Sequence, residues 1–159
     1  MISITNSMAA NKKRGLLKWV CFIAYLLLLV YVLFYSALFG RVEHSEYRYN
    51  LTMLQEIGRY YYIGIRSGAW KLFIMNVIGN IAVFVPFGVC LPALFPRCRN
   101  MLVTTMLTLE FSFCVEIIQL LTKVGSFDVD DLLLNTLGGL VGFIFYAIYR
   151  LVKKIGHKK

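Results

Sequence analysis

Four uninterrupted apolar blocks restrict the fold of this chain more than any other feature of its sequence. They cover residues 16–39, 72–95, 101–122 and 132–152. Each block is close to the ~20 apolar residues that a helix needs to cross ~30 Å of hydrocarbon. The blocks do not alternate between apolar and polar positions, which argues against a membrane β-barrel. We therefore predict an all-α polytopic membrane protein, built as a bundle of four transmembrane helices.

The composition excludes several other classes of protein. Only 16% of the 159 residues are charged, against about 25% in soluble domains, and the mean hydropathy is +0.69. A soluble enzyme, a disordered chain and a secreted disulfide scaffold are therefore excluded. The first block follows a basic segment, 1–15, but it is longer than the apolar stretch of a signal peptide, and no small-residue cleavage site follows it. We interpret it as an uncleaved anchor.

The basic residues predict the orientation of the four helices. Eleven basic residues and no acidic ones lie on one side of the blocks: Lys12, Lys13, Arg14, Lys18, Arg97, Arg99, Arg150, Lys153, Lys154, Lys158 and Lys159. Short basic loops stay in the cytoplasm, so we expect both termini, including the tail 153–159, to be cytoplasmic. The basic segments would lie against anionic headgroups. Membrane lipids are thus expected partners and nucleic acid is not.

The loop 40–71 is the one long extracytoplasmic connection in this arrangement. Apolar residues from Leu51 to Ile65 recur at helical intervals, with polar residues on the other side. This pattern predicts a short amphipathic helix lying in the outer interface. Thr52 and Gln55 have the spacing of a capping box at its start. The helix would serve as a lid or substrate contact, or only as a surface anchor.

Polar residues within the apolar blocks are the candidate functional residues. A charge in mid-helix costs ~2.5–3.5 kcal/mol on insertion scales, so such residues usually face protein or water and carry function. In the predicted orientation, polar groups from three helices converge in the outer half of the membrane. The catalytic candidates are Glu116, Asp128 and Asp131, and the substrate-binding candidates are Asn76, Asn80, Gln119 and Asn135. A purely structural hydrogen-bond cluster is the alternative, and aspartates also suit the first turn of a helix.

Other residues in the blocks indicate packing. Gly138 and Gly142 form a small-xxx-small pair that lets another helix approach closely. That helix belongs either to this chain or to a second subunit, which leaves a homo-oligomer open. Pro86 predicts a kink in the second helix. Glu110 points away from the other carboxylates and has no assigned role. The spacing of histidines and cysteines suits no metal site, so no metal or cofactor is expected.

Three short elements together resemble the VanZ-like proteins. The first is N-V-I-G-N at 76–80 with F-V-P-F-G at 84–88, and the second is E-I-I-Q at 116–119. The third is F-D-V-D-D at 127–131 with N-T-L-G-G at 135–139. Order and spacing agree over roughly 49–149, and 72–152 would form the VanZ-like core. The chain departs from the family at 50–54, where a proline and a phenylalanine are missing, and at Lys123, which stands where an arginine is common.

The resemblance implies a bacterial cytoplasmic-membrane protein of the cell envelope. The VanZ-like family is associated with lower susceptibility to teicoplanin, a glycopeptide antibiotic that bears a lipid. We therefore expect binding of a lipid, a lipid-linked envelope component or a lipoglycopeptide at the outer leaflet. An alternative is an intramembrane enzyme that uses Glu116, Asp128 and Asp131 as acid, base or cation ligands. A small transporter is a further alternative.

Overall fold

The computed structural model describes residues 2–35 and 46–156, with side chains from residue 15 onward. Within these residues, four helices are long and apolar enough to span a membrane: Gly15–Tyr35, Trp70–Leu94, Met101–Thr122 and Val129–Gly156. The predicted all-α bundle of a multi-pass membrane protein is confirmed. The predicted ends at residues 36–39 and 157–159 lie outside the described residues.

The elements follow one another in a simple order: α1 (Ile2–Tyr35), β1 (Tyr49–Asn50), α2 (Gln55–Ser67), α3 (Trp70–Phe73), α4 (Gly79–Leu94), α5 (Met101–Thr122), β2 (Phe127–Asp128) and α6 (Val129–Gly156). A π-helical turn, Ile74–Ile78, joins α3 to α4, so that these form one span. A 3-10 turn, Pro96–Cys98, precedes α5. Helix α6 begins three residues before the predicted apolar block, because its first-turn acidic residues suit the positive end of the helix dipole.

Glycines bring α4 and α6 into backbone contact. A Cβ at Gly142 would lie 2.1 Å from the Val85 carbonyl oxygen, and one at Gly138 would lie 2.2 Å from that of Ile81. On the facing helix, a Cβ at Gly88 would lie 1.9 Å from the Gly139 carbonyl oxygen. Only glycine permits such an approach. The partner of the small-xxx-small pair is therefore a helix of this same chain.

Helix α1 packs on the other side of α4 through an aromatic and aliphatic core. Phe22, Leu29 and Leu33 are buried in one cluster with Phe84 and other residues of α4. The Tyr25 hydroxyl donates to the Val83 carbonyl oxygen at 2.9 Å, one turn before Pro86. Pro86 lies inside α4 and leaves the carbonyl of Ala82 without its helical donor.

The segment between the first two spans is held against the start of α6. Strands β1 and β2 pair in parallel, with Tyr49 opposite Phe127 and Asn50 opposite Asp128. Helix α2, predicted from its amphipathic pattern, follows β1 and then turns back at Gly68, whose φ of 72° suits glycine. We call residues 49–67 the outer segment, after the side of the membrane that the charge pattern predicts for them. Parallel pairing fixes its position relative to α6.

The predicted capping box is wrong. The backbone N–H of Thr52 donates to Asn50 Oδ1, and Leu54, with φ 64°, precedes the first residue of α2 without a side-chain cap. The N–H groups at this helix end donate instead to the carboxylate of Asp130. A charged acceptor supplied by α6 satisfies several N–H groups at once. It takes the place of the Thr52 hydroxyl as the cap for that reason.

Candidate functional site

Two of the predicted carboxylates lie where α4, α5 and α6 meet, at the end of the bundle next to the outer segment, which we call its outer end. Glu116 is 1% exposed, and its Oε2 accepts the backbone N–H of Asp128 at 2.9 Å. Asp131 Oδ1 accepts from the Asn80 side-chain amide at 2.5 Å. The structure thus brings Glu116, Asn80 and Asp131 to the first turn of α6, as their positions in the sequence suggested.

Asp128 connects this cluster to the outer segment. Its Oδ1 accepts from Asn50 Nδ2 at 3.1 Å and from the backbone N–H of Asp130 at 2.8 Å. The side chain is only 7% exposed. Burial raises the pKa of Asp128 above its usual value, and the hydrogen bond from the Asp130 backbone partly offsets this effect. Asp128 therefore holds a proton more readily than an ordinary aspartate.

Asp130 belongs to this region although the sequence did not single it out as a candidate. It is 1% exposed and accepts three backbone N–H groups of the outer segment: Leu54 at 2.5 Å, Glu56 at 2.9 Å and Ile57 at 3.2 Å. The signal that could have found it is the presence of three aspartates in four positions. The i, i+3 spacing favoured Asp128 and Asp131 and left Asp130 aside. Its partners are 73 to 76 residues away in the chain, and no local pattern indicates them.

Two buried amide side chains on the same helices as the carboxylates each have an oxygen without a hydrogen-bond partner among the described residues. Gln119, 0% exposed, donates through Nε2 to the Leu33 carbonyl oxygen at 2.8 Å, and Asn135, 2% exposed, donates through Nδ2 to Ser112 Oγ at 2.9 Å. Within the described part of the chain, Gln119 Oε1 and Asn135 Oδ1 have no hydrogen-bond partner. A buried polar atom without a partner costs ~1–3 kcal/mol. Such atoms therefore indicate a place where a donor would be stabilised.

The structure does not bring every candidate to this cluster. The Asn76 side chain is half-buried and donates to the Leu72 carbonyl oxygen, one turn earlier in its own span, at 2.8 Å. Glu110 lies on the exposed side of α5, in agreement with the prediction that it points away from Glu116. Among the residues that the structure describes, no group of three or more histidine, cysteine or acidic side chains could hold a metal ion.

The arrangement defines the chemistry available at the outer end. Buried carboxylates and unpartnered amide oxygens accept hydrogen bonds, so the site suits hydroxyl or ammonium groups. Asp128 and Asp130 also connect the start of α6 to the outer segment. We call the set of Glu116, Gln119, Asp128, Asp131 and Asn135 the outer site.

Comparison with known proteins places this chain among named relatives. A family model described as VanZ/LLP1 matches residues 22–150. A curated protein of Enterococcus faecium, Protein VanZ, is 33% identical over 73 residues. That alignment covers 46% of this chain and 45% of the relative, so less than half of the relative's length is matched. No solved structure matches significantly.

Proposed function

This chain belongs to the VanZ/LLP1 family, and on that premise we propose that it binds a lipid-anchored glycan at the outer leaflet. The ligand class comprises lipid-linked envelope components and lipoglycopeptides such as teicoplanin, which share an apolar chain and a hydroxyl-rich head. The apolar chain would remain in the bilayer, while the head would bind at the outer site. The protein would act on the bacterial cell envelope from the cytoplasmic membrane, with both termini inside.

The observation that carries the proposal is the pair of unpartnered amide oxygens on Gln119 and Asn135. Glu116 lies on the same helix as Gln119, one turn away, and adds a buried carboxylate. Sugar hydroxyls can donate hydrogen bonds to these acceptors, and a donor gained at either amide oxygen removes a desolvation cost of the unliganded protein. Two buried acceptor oxygens without a partner in the described part of the chain favour a head rich in donors over an apolar one.

The outer segment controls access to the outer site. Both unpartnered amide oxygens are buried, and the outer segment is held against the start of α6 by the β1–β2 pair and by Asp130. Most residues of helix α2 are exposed, and among them only Gly64 is fully buried. Release of the segment from α6 would admit a glycan head, so we assign the outer segment the role of a lid.

Binding in lipid nanodiscs tests the proposal. Teicoplanin, a glycopeptide without an acyl chain, and a polyprenyl-linked disaccharide are titrated separately onto the purified protein. We expect saturable binding of one or both lipid-bearing probes and at least tenfold weaker binding in Glu116→Gln. Glu110→Gln is the matched control, because it makes the same change on the exposed side of the same helix. Equal affinity in both variants would refute the assignment of the outer site, and the two probes identify which source supplies the glycan.

A reversible crosslink tests the lid. Tyr49 and Phe127 are register partners of the parallel strands, so cysteines placed there are within disulfide reach. In a background without Cys21, Cys90, Cys98 and Cys114, oxidation of Tyr49→Cys/Phe127→Cys should block probe binding, and reduction should restore it. The single variant Tyr49→Cys should be insensitive to oxidant. Full binding in the crosslinked form would contradict the lid.

A second candidate function rests on Asp128. Burial raises its pKa, and the Glu116 carboxylate accepts its backbone N–H. Asp128 as proton donor and Glu116 as acceptor would supply the two groups that general acid–base catalysis requires. The substrate would be the same lipid-anchored glycan. Multiple turnover of the polyprenyl-linked disaccharide by purified protein, abolished in Asp128→Asn, would favour this function over binding alone.

A further inference from the structure

A separate apolar groove opens at the opposite end of the bundle, where α4 ends and α5 begins. It has a volume of about 670 Å³, within the ~300–1,000 Å³ typical of ligand pockets. Leu91 and Phe95 line it from the end of α4, and Val103 and Leu107 line it from α5. Leu107 lies six residues into α5, about 9 Å along the helix. The groove therefore extends from the helix ends into the depth of the hydrocarbon.

The charges around this groove have one sign. Arg97 belongs to its lining and is exposed, and Arg99 is exposed two residues later. The sequence contains no acidic residue between Glu56 and Glu110. An apolar channel whose mouth is basic complements a molecule with an aliphatic chain and an anionic head.

We propose that this groove holds one acyl chain of an anionic phospholipid, whose phosphate binds the Arg97 guanidinium. Arg97 presents several N–H donors in a planar fork, which matches phosphate oxygens better than an ammonium group does. The apolar walls accept the chain, and the exposed arginine remains at headgroup level. This lipid site is distinct from the outer site, and it does not depend on the function proposed there.

The chain carries a natural reporter for this site. The rings of Trp19, on α1, and Phe95, at the groove, are 5.5 Å apart at their centroids. The other tryptophan is Trp70, at the outer end of its span. A Trp70→Phe variant therefore leaves Trp19 alone to report on the groove.

The experiment measures quenching of Trp19 by bromine-labelled lipids. Trp70→Phe protein is reconstituted in phosphatidylcholine bilayers that contain equal fractions of bromine-labelled phosphatidylglycerol or bromine-labelled phosphatidylcholine. We expect the anionic lipid to be preferred at Trp19 about fivefold, the ratio that ~1 kcal/mol per basic residue gives. Unlabelled phosphatidylglycerol should reverse the quenching. Equal quenching by the two lipids would overturn the proposal.

Variants separate a bound lipid from general surface attraction. Arg97→Gln should abolish the preference, and Val103→Phe, which fills the groove, should lower quenching by both labelled lipids. Lys154→Gln removes a charge from the last turn of α6, outside the groove lining, and should leave the preference unchanged. An equal loss of the preference in Lys154→Gln would mean that the total charge of the protein surface, and not Arg97, attracts the anionic lipid. A preference that disappears when the protein is diluted in the bilayer would assign the groove to a second copy of the chain, and either result would refute the lipid site.

Discussion

Replacement of Asp130 by asparagine should loosen the outer segment without unfolding the bundle. The Asp130 carboxylate accepts N–H groups from Leu54, Glu56 and Ile57 with both oxygens. An asparagine retains one acceptor oxygen and loses the charge, so either Leu54 or the other two N–H groups lose their partner. Loss of a helix cap costs ~0.5–2 kcal/mol. The cost of losing a charged acceptor lies at the upper end of this range. We expect a loss of ~2 kcal/mol, or about 30-fold in the opening equilibrium.

Hydrogen–deuterium exchange in nanodiscs measures this equilibrium residue by residue. The protection of the Leu54, Glu56 and Ile57 amides should fall about 30-fold in Asp130→Asn and further in Asp130→Ala, while protection in α5 should not change. Asp131→Asn is the matched control, since it alters the neighbouring carboxylate, which accepts from Asn80 of α4, whereas the three N–H groups at the start of α2 donate to Asp130. Unchanged protection in both Asp130 variants, or an equal loss in Asp131→Asn, would refute the assignment of Asp130 as the cap of α2.

Three further predictions concern packing, protonation and orientation. Gly142→Ala should destabilise the bundle by ~1–3 kcal/mol, because its Cβ would overlap the Val85 carbonyl, whereas Gly156→Ala, with open space around it, should not; thermal unfolding in detergent distinguishes them. The raised pKa of Asp128 means that the folded state binds its proton more tightly than the unfolded state, so its contribution to stability is present at low pH and declines as pH rises through the folded pKa. Asp128→Asn can still accept both hydrogen bonds through Oδ1, so it should flatten the dependence of unfolding temperature on pH above the usual aspartate pKa of about 4; an unchanged slope would contradict this. A reporter fused after Lys159 should be cytoplasmic and one inserted at Ser45 external, and an external C-terminus would remove the outer-leaflet assignment.

The sequence was sufficient for the spans because the bilayer imposes a length and a composition on them. The block at 101–122 coincides with helix α5, Met101–Thr122. Glu116 and Gln119 could be identified as candidates of one site because residues three apart share a helix face. Both side chains are buried in the structure.

Contacts between distant segments could not be predicted in the same way. The capping-box pattern at Thr52 depends on neighbours in the chain, whereas the acceptor that caps α2 comes from Asp130. The choice of α4 as the partner of the α6 glycines likewise depends on how whole helices pack. A small-xxx-small spacing predicts a close helix contact but does not identify the partner helix. Asn76 and Asn80 are both asparagines of one span, but their side chains donate to different acceptors. Asn76 donates to a carbonyl of its own span, whereas Asn80 donates to Asp131 of α6.

The parallel pairing of β1 with β2 also constrains how the protein is made. Asn50 and Asp128 are 78 residues apart, and Asn80 and Asp131 are 51 apart. During synthesis the outer segment therefore leaves the ribosome long before its partners, and Asn80 enters the membrane without Asp131. The outer site can assemble only after the last span has inserted. The proposed binding site is therefore the last part of the protein to form. A nascent chain arrested after α5 should have its outer segment open to protease, and insertion of α6 should close it.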